Sequence, residues 1–256
     1  MGVEVREVAP GKVEALVAWL GDSPQTVQSV HRLRRGLGRG IVVGPVERPR
    51  AALVASFSNP EENAAFGDDA EAAWAMLRGV DGWAAVHVAP ALAGPLARVI
   101  ELETGRGTTP VEELYYLLDG PVATATHPAV RLLTHGDVPM MEAATDALGM
   151  QGWRLGSAAA LVRESVAAGA VVDGELVAGG FAGYAGDRHA EVGIVTRQDH
   201  RNRGLSTAAG ALVCAELVRR GRTPVWSTSE ENVASRRVAA KLGFGEVSRR
   251  VYLNRG

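Results

Sequence analysis

Glu191-Val192-Gly193-Ile194-Val195-Thr196 is the stretch that decides the fold, and it is followed by Arg201-Asn202-Arg203-Gly204-Leu205-Ser206 and an apolar segment that runs to Gly221. The first six residues are rich in β-branched side chains, which favour a strand, and the apolar segment has the length of a helix. A strand, a basic turn that contains glycine and a helix together present backbone N–H groups to a phosphate at the N-terminus of the helix. This stretch therefore predicts an anion site.

Composition limits the partners that the protein can have. The 256 residues are 46% hydrophobic and 22% charged, and the net charge of -2 with a pI near 6.3 gives no reason to expect nucleic acid or an anionic membrane. The single cysteine, Cys214, excludes an internal disulfide and a cysteine-based zinc cluster. No apolar run has the length of a membrane span, and the N-terminus lacks the pattern of a signal peptide. We expect a cytoplasmic protein with no metal and no membrane partner.

The pattern of apolar runs repeats along the chain. The first half predicts the order β-α-α-β-β-α-β-α-β, with its first strand at Val3 to Val8 and a hairpin formed by Ile41 to Val46 and Ala51 to Phe57. A stretch with two prolines then lacks periodicity and is the predicted linker. After it, Val, Arg, Gly and Val at 130, 131, 136 and 138 repeat the spacing of 5, 6, 11 and 13. We interpret the chain as an internal duplication, with halves at residues 1–120 and 130–256 and a linker at 121–129.

The second half has clear local signals. Helices are predicted at Val138 to Leu148 and at Ser157 to Ala167. Asp173-Gly174 between two apolar runs predicts a hairpin, because both turn residues tolerate a positive φ. The remaining elements then alternate: strand 189–196, helix 205–220, strand 224–228, helix 232–242 and strand 246–253.

Two motifs, in this order and spacing, resemble the GNAT superfamily of acyl-CoA-dependent N-acyltransferases from Glu191 to Phe244. The superfamily's cofactor loop, Arg/Gln-x-x-Gly-x-Gly/Ala after a strand, is matched by Arg201 and Gly204, with Ser206 at the last position. Its second signature, an Asn that opens a helix ending in Lys-x-Gly-Phe, is matched by Asn232, Ser235, Lys241, Gly243 and Phe244. Pro224-x-Trp226 and Asn232-x-x-Ser235 also resemble a branch of similar length that includes an aminopolyol-antibiotic resistance acetyltransferase.

The resemblance implies a fold and a cosubstrate. The fold is α/β, of the α+β type with a mixed sheet, in two tandem GNAT-like halves of which the first is degenerate. Acetyl-CoA is the implied cosubstrate, with its pyrophosphate on Arg201, Asn202, Arg203, Gly204, Leu205 and Ser206. Its pantetheine arm is expected to pair with the strand end at Ile194, Val195 and Thr196. Asn232 and Ser235 are then expected to line the arm from the other side.

The resemblance also suggests catalytic groups. Acyl transfer from a thioester to an amine needs a neutral amine, a polarised carbonyl and a proton for the departing thiolate. Glu191 lies on the site strand, where the superfamily often has a glutamate as general base, and a solvated carboxylate at the strand end is the alternative. The usual proton-donating tyrosine is replaced by Ala239. Ser235, Tyr184 or no protein group remain as the general acid.

Two segments of the first half bear on the cofactor. Arg35-Gly36-Leu37-Gly38-Arg39-Gly40 matches the loop pattern literally, but it precedes the strand-like Ile41-Val42-Val43 rather than a helix, so we reject it as a phosphate site. Ser58-Asn59-Pro60-Glu61-Glu62-Asn63 occupies the place expected for the loop and is acidic, so it would repel phosphate. The first half is therefore expected to have lost the cofactor.

The sequence leaves two classes of function open. The first is an enzyme, a monomer or homodimer, that transfers an acetyl group from acetyl-CoA to a primary amine of a small molecule. The second is a non-catalytic acyl-CoA-binding or protein-interaction module, which Ser206 in place of Gly/Ala and the alanine at position 239 favour.

Overall fold

A computed structural model describes residues 4–150 and 155–256 of the chain, so Val3 of the predicted first strand lies outside the described residues. The chain divides into two compact units. Unit 1 contains the described residues up to Tyr115 together with Ser229–Glu231 and Ser248–Gly256. Unit 2 contains the described residues of Tyr116–Thr228 together with Asn232–Val247. Two short segments of the predicted second half thus group with the first unit.

The strands and helices follow one another along the chain in the mixed order that an α/β fold requires. The strands are β1 (Val5–Glu7), β2 (Gly38–Val43), β3 (Ala51–Ser56), β4 (Glu62–Gly67), β5 (Ala85–Val88), β6 (Thr108–Leu117), β7 (Val130–Leu132), β8 (Ala167–Val172), β9 (Glu175–Ala185), β10 (His189–Thr196), β11 (Thr223–Ser229) and β12 (Gly245–Arg255). The helices are α1 (Val13–Leu20), α2 (Val27–Arg34), α3 (Ala70–Leu77), α4 (Pro90–Thr104), α5 (Val138–Ala143), α6 (Thr145–Leu148), α7 (Ala158–Glu164), α8 (Leu205–Arg219) and α9 (Val233–Leu242).

Both units use the same strand plan. In unit 1 the order is β1-β2-β3-β4-β5-β12-β6, with the first four strands antiparallel and β5 parallel to β4. In unit 2 the order is β7-β8-β9-β10-β11, again with four antiparallel strands and β11 parallel to β10. The predicted fold class, a mixed α/β fold with a repeated plan, is confirmed.

The hairpins were predicted correctly, whereas several element boundaries were wrong. β2 pairs with β3, and Asp173 and Gly174 take φ values of 50° and 83° in the turn between β8 and β9. The predicted helix Val138 to Leu148 is instead two short helices, α5 and α6. The helix predicted to reach Ala167 ends at Glu164, because Ala167 already begins β8.

Strand β4 was missed by the sequence analysis. Its sequence, ENAAFG, has only three consecutive apolar residues and opens with two polar ones. The acidic segment at residues 58–63 therefore does not replace the cofactor loop, since its last two residues already belong to β4. The connection that corresponds to the loop runs from β4 to α3 and consists of Asp68 and Asp69. It is too short to form a phosphate-binding turn of the length seen between β10 and α8.

Helix α8 packs unusually closely on the sheet of unit 2. A Cβ atom built at Gly180 of β9 would lie 2.9 Å from the carbonyl carbon of Ala209 and 2.9 Å from the backbone nitrogen of Gly210. These are backbone atoms in the middle of α8, so they cannot rotate away as a side chain can. Gly180 therefore sets the distance of α8 from β9.

We expect Gly180→Ala to lower the free energy of unfolding by about 1 to 3 kcal/mol, because the added methyl group overpacks a rigid interface. Gly245→Ala is the matched control, since a Cβ there meets nothing within 4 Å. Urea denaturation of both variants followed by circular dichroism measures the difference. Equal midpoints for the two variants would show that α8 is free to shift.

Candidate functional site

The candidate site of unit 2 begins where strands β10 and β11 diverge. Their parallel register pairs His189 with Thr223, Ala190 with Pro224 and Glu191 with Val225, and it ends there. On its other side β10 continues to pair with β9 as far as Thr196, with a bulge between Glu191 and Val192. The backbone of residues 192–196 therefore faces an opening in the sheet. Peptide groups at such an edge can pair with an amide-bearing ligand or polarise a carbonyl group.

The predicted phosphate turn leads directly into α8. Gly204 is the N-cap residue with a φ of 76°, and Asn202 also has a positive φ, of 62°. Among the described residues, no side chain caps this helix, and its first turn contains no acidic residue. The N–H groups of the first turn, which begins at Leu205 and Ser206, point along the helix axis toward the turn. This end of a 15-residue helix is suited to an anion.

Charged side chains fix the shape of the turn. The Arg197 guanidinium binds Glu175 at 2.7 Å and Asp199 at 2.8 Å, and His200 Nδ1 lies 2.9 Å from Asp199. Hydrogen bonds from Arg197 and then His200 hold the pKa of the Asp199 carboxyl well below its ordinary value. Arg203 donates to the Asp199 carbonyl oxygen at 3.1 Å. Because Arg197 already balances the negative charge of Asp199, the exposed side chains of Arg201 and Arg203 give the turn a net positive charge.

Glu191 is buried rather than solvated. Its exposed fraction is 9%, and its Oε1 accepts a hydrogen bond of 2.7 Å from the Ser227 hydroxyl. The alternative of a solvated carboxylate at the strand end is therefore wrong. Ser227 was missed by the sequence analysis, although it follows Val225 by two residues on a strand and so shares a face with the residue that pairs with Glu191. Burial and an ordered hydrogen bond are what a positioned general base requires.

The second motif places Asn232 and Ser235 at the start of α9. Asn232 Oδ1 caps the helix by accepting from the Ser235 backbone N–H at 3.1 Å. The Ser235 hydroxyl oxygen accepts a hydrogen bond of 2.9 Å from the indole N–H of Trp226, which is 1% exposed. The oxygen acts as the acceptor in this contact, so the hydroxyl proton of Ser235 is available for donation. Ala239, at the position of the superfamily's tyrosine, is fully buried.

Other candidate groups have structural explanations. Cys214 is fully buried, and burial raises the pKa of its thiol to about 12, which makes it unreactive. Tyr184, the alternative acid, is buried on β9 and pairs with Glu191 across the β9–β10 ladder.

Within residues 4–150 and 155–256, no three histidine, cysteine or acidic side chains are grouped as a metal site would need. In the same residues no helix is long and apolar enough to span a membrane.

The corresponding opening in unit 1 is filled by an arginine. The parallel register of β4 and β5 ends at Ala64 and His87, so Ala64 occupies the position that Glu191 has in unit 2. Just beyond it, Arg250 Nη2 donates to the carbonyl oxygens of Ala65 at 2.7 Å and His87 at 2.8 Å. Arg250 is only 3% exposed, and its guanidinium lies 4.5 Å from the centre of the Phe66 ring. The guanidinium thus bridges the two diverging strands.

The helix that follows β4 is also closed to a phosphate. Asp69 Oδ1 accepts from the backbone N–H of Ala72 at 2.9 Å and so caps α3. This hydrogen bond is the first cause that lowers the pKa of the Asp69 carboxyl. A capping carboxylate occupies the place that a phosphate would need and repels it. Unit 1 therefore has the strand plan of unit 2 without its buried carboxylate, its long turn or its uncapped helix end.

Comparison with known proteins shows that the fold is that of GNAT proteins. Residues 162–251 match the GNAT acetyltransferase family, and this segment contains every predicted site residue. No curated protein sequence matches the chain. A GCN5-related N-acetyltransferase-like protein from Streptococcus suis has 16% identity and a TM-score of 0.65 over 96% of this chain and 99% of its own.

The repeated plan also has a relative among solved structures. A tandem GNAT protein from the clavulanic acid biosynthesis pathway has 19% identity and a TM-score of 0.59 over 98% of each chain. An acetyltransferase of the GNAT family from Colwellia psychrerythraea has 14% identity and a TM-score of 0.64 over 98% of this chain and 99% of its own. At these identities the similarity establishes the fold, which extends over nearly the whole chain.

Proposed function

We propose that this protein is a GNAT-type N-acetyltransferase that moves an acetyl group from acetyl-CoA to a primary amine of a small molecule. The observation that carries the proposal is the buried Glu191 carboxylate, held by Ser227 at the point where β10 and β11 diverge. A carboxylate in this place has no role in the hydrophobic core. It lies on the strand that leads to the basic turn, so a base and an anion site share one opening.

The residues present fit acetyl-CoA. Backbone N–H groups at the start of α8, with Arg201, Asn202, Arg203, Gly204, Leu205 and Ser206, would hold the pyrophosphate. The edge of β10 at Ile194, Val195 and Thr196 would pair with the amides of the pantetheine arm, with Asn232 and Ser235 on its other side. The uncapped helix end and the donor chemistry of the turn support this assignment.

The chain's own groups account for the proton transfers. Bound acetyl-CoA supplies the acetyl group as a thioester, whose C–S bond breaks as the C–N bond to the amine forms. Glu191 takes a proton from the substrate's ammonium group, directly or through water, so that the amine attacks as a neutral nucleophile, while Ser227 holds the carboxylate in place. Ser235, whose oxygen already accepts from Trp226, would donate its proton to the departing thiolate and regain a proton from solvent. The backbone edge of β10 polarises the carbonyl group.

The acceptor is proposed as a class. The resemblance of Pro224-x-Trp226 and Asn232-x-x-Ser235 to the branch with an aminopolyol-antibiotic resistance acetyltransferase supports aminopolyols as the first acceptors to test. A single, buried cysteine supports a cytoplasmic enzyme. We expect the protein to act as a monomer or homodimer.

An amine panel tests the proposal. Purified protein is mixed with acetyl-CoA and single amines from the classes of aminopolyols, aminoglycosides, polyamines and amino acids, and free CoA thiol is measured over time. We expect amine-dependent thiol release with at least one class, and mass spectrometry should show the acceptor 42 Da heavier, because acetylation replaces one hydrogen. Protein that is stabilised by CoA yet releases no thiol with any amine would instead support the non-catalytic acyl-CoA-binding module. Absence of any stabilisation by CoA would exclude both functions.

A further inference from the structure

Two consecutive residues of β11 each hold one group of the site in unit 2, on opposite faces of the sheet. Ser227 donates its hydroxyl hydrogen to Glu191 on one face. Trp226 lies toward α8, because a Cβ built at Gly210 of that helix would be 3.9 Å from Trp226 Cζ3. Side chains of neighbouring residues in a strand alternate between the two faces. Trp226 therefore lies on the face that α8 covers, and the pair of Ser227 and Glu191 lies on the other.

The indole ring of Trp226 is fixed by its neighbours. Its exposed fraction is 1%, and the ring of Phe244 meets it edge-on, with ring centres 5.5 Å apart and an angle of 60° between the planes. Its N–H donates to the hydroxyl oxygen of Ser235 at 2.9 Å. Ser235 lies in the first turn of α9 and Phe244 follows its last residue, so both ends of this helix pack against the same indole. The close packing leaves the N–H little freedom to move relative to Ser235.

The hydroxyl hydrogen of Ser235 is not used within the described part of the chain. The oxygen accepts from Trp226, the backbone N–H donates to Asn232 Oδ1 at 3.1 Å, and no described residue accepts the hydroxyl hydrogen. The hydrogen of a hydroxyl whose oxygen already accepts must point away from that donor. Ala239, one turn further along the same side of α9, is fully buried and carries no donor. Ser235 can therefore give this hydrogen to a ligand.

We propose, on the basis of the acetyl transfer proposed above, that Trp226 is a positioning residue that acts on the departing sulfur of CoA through the Ser235 hydroxyl. As the C–S bond breaks, its electron pair stays on sulfur, and the hydroxyl hydrogen binds that sulfur. The indole N–H keeps this hydrogen turned outward. It also makes the hydroxyl a stronger donor, because a hydrogen bond to the oxygen favours the negative charge that develops there. Neighbouring residues of β11 thus position the base on one face and the donor on the other.

A double-mutant cycle of Trp226 and Ser235 tests the proposal in the full chain. We expect Trp226→Phe, which keeps an aromatic ring and removes the N–H, to lower kcat of amine acetylation by about 10-fold. Ser235→Ala should lower kcat by about 100-fold, the lower end of what a general acid contributes. Because Trp226 acts through Ser235, adding Trp226→Phe to Ser235→Ala should change kcat by less than about twofold. The KM of the amine should stay nearly constant, because neither side chain lies on the face of Glu191.

Trp74→Phe is the matched control. It removes the same atoms from a buried tryptophan of α3, whose Nε1 has no hydrogen-bond partner among the described residues. Trp74→Phe should keep the full kcat, and thermal unfolding checks that each variant is folded at the assay temperature. The proposal is overturned if Trp226→Phe keeps the full kcat or loses no more than the control. It is also overturned if Trp226→Phe lowers kcat as much in Ser235→Ala as in the unmodified protein.

A binding measurement needs no acceptor and so separates this role from the acetyl transfer. CoA and desulfo-CoA, in which hydrogen replaces the thiol group, are titrated by calorimetry at a pH of about 9, where a thiol with a pKa of about 8.5 is mostly ionised. We expect the ratio of the Kd of desulfo-CoA to that of CoA to be about 10-fold larger in the unmodified protein than in Ser235→Ala, with Trp226→Phe in between.

The binding ratios also distinguish the two ways of failing. Ser235→Ala removes only a hydroxyl group, so its comparison with the unmodified protein does not depend on how well the core tolerates Trp226→Phe. Equal ratios in these two proteins would refute the role of Trp226 and Ser235, even if the protein acetylates amines. The expected ratios without thiol release on any amine would contradict the acetyl transfer and support the contact with sulfur.

Discussion

Glu191→Gln is expected to lower kcat by about 10²- to 10⁴-fold, the range that a general base contributes, while CoA binding stays unchanged. The amide keeps the shape of the side chain and can still accept from Ser227, but it cannot take a proton from the amine. We expect the change in kcat and not in the affinity for CoA, because Glu191 lies beside the strand opening rather than in the turn before α8. Thiol release at saturating acetyl-CoA and amine measures it.

Two variants separate loss of the base from loss of charge or order. Glu142→Gln removes one charge at an exposed site on α5 and should leave kcat unchanged. Ser227→Ala removes the hydrogen bond to Glu191 and keeps the carboxylate, so we expect a smaller decrease of about tenfold, the effect of one hydrogen bond of about 1.4 kcal/mol. Full activity in Glu191→Gln would show that the amine arrives neutral and that no base acts.

Gly204→Val is expected to remove the stabilisation of the protein by CoA and to raise the Kd of CoA by at least about 10-fold. The φ of 76° at Gly204 strains a β-branched residue by about 1 to 3 kcal/mol, so the turn must change its backbone to accommodate valine. The N–H groups at the start of α8 would then no longer converge on one phosphate. Thermal unfolding with and without CoA, together with isothermal titration calorimetry, measures both quantities.

Gly221→Val is a closely matched control for this prediction. Gly221 follows the other end of α8, has a φ of 73° and, like Gly204, has nothing within 4 Å of a built Cβ. The two variants thus introduce similar strain at similarly open positions. Gly221→Val should lose stability but keep its affinity for CoA. If both variants bind CoA as the unmodified protein does, the pyrophosphate does not lie on the turn at residues 201–206.

The two units share one strand plan but differ at the opening between the diverging strands and at the N-terminus of the helix that follows. In unit 2 the diverging strands leave an opening with a carboxylate at its edge, and a turn of eight residues between β10 and α8 leads to an uncapped helix. In unit 1 a guanidinium bridges the diverging strands, and an aspartate caps the following helix. The same backbone geometry therefore leaves an open sheet edge and an uncapped helix end in one unit and a closed, hydrogen-bonded structure in the other.

The sequence by itself determined the repeated plan, the hairpins and the position of the turn before α8. Each of these depends on neighbours within a few residues: periodicity of apolar side chains, Asp173-Gly174 with its positive φ values, and Gly204 before an apolar helix. Such signals are local, so they can be recognised without knowing which strands are neighbours. Strand β4 escaped recognition because its run of apolar residues is only three long.

Only the tertiary structure decided which side chains meet. Ser227 and Glu191 are 36 positions apart in the chain, and Arg250 is 185 positions from Ala65. Their contacts follow from strand order and register, which place distant segments about 5 Å apart. The ring of His87 likewise stacks on that of Tyr252 only because β5 and β12 bring the two residues side by side. A side chain's chemistry is encoded in its residue type, but its role is fixed by neighbours that the fold supplies.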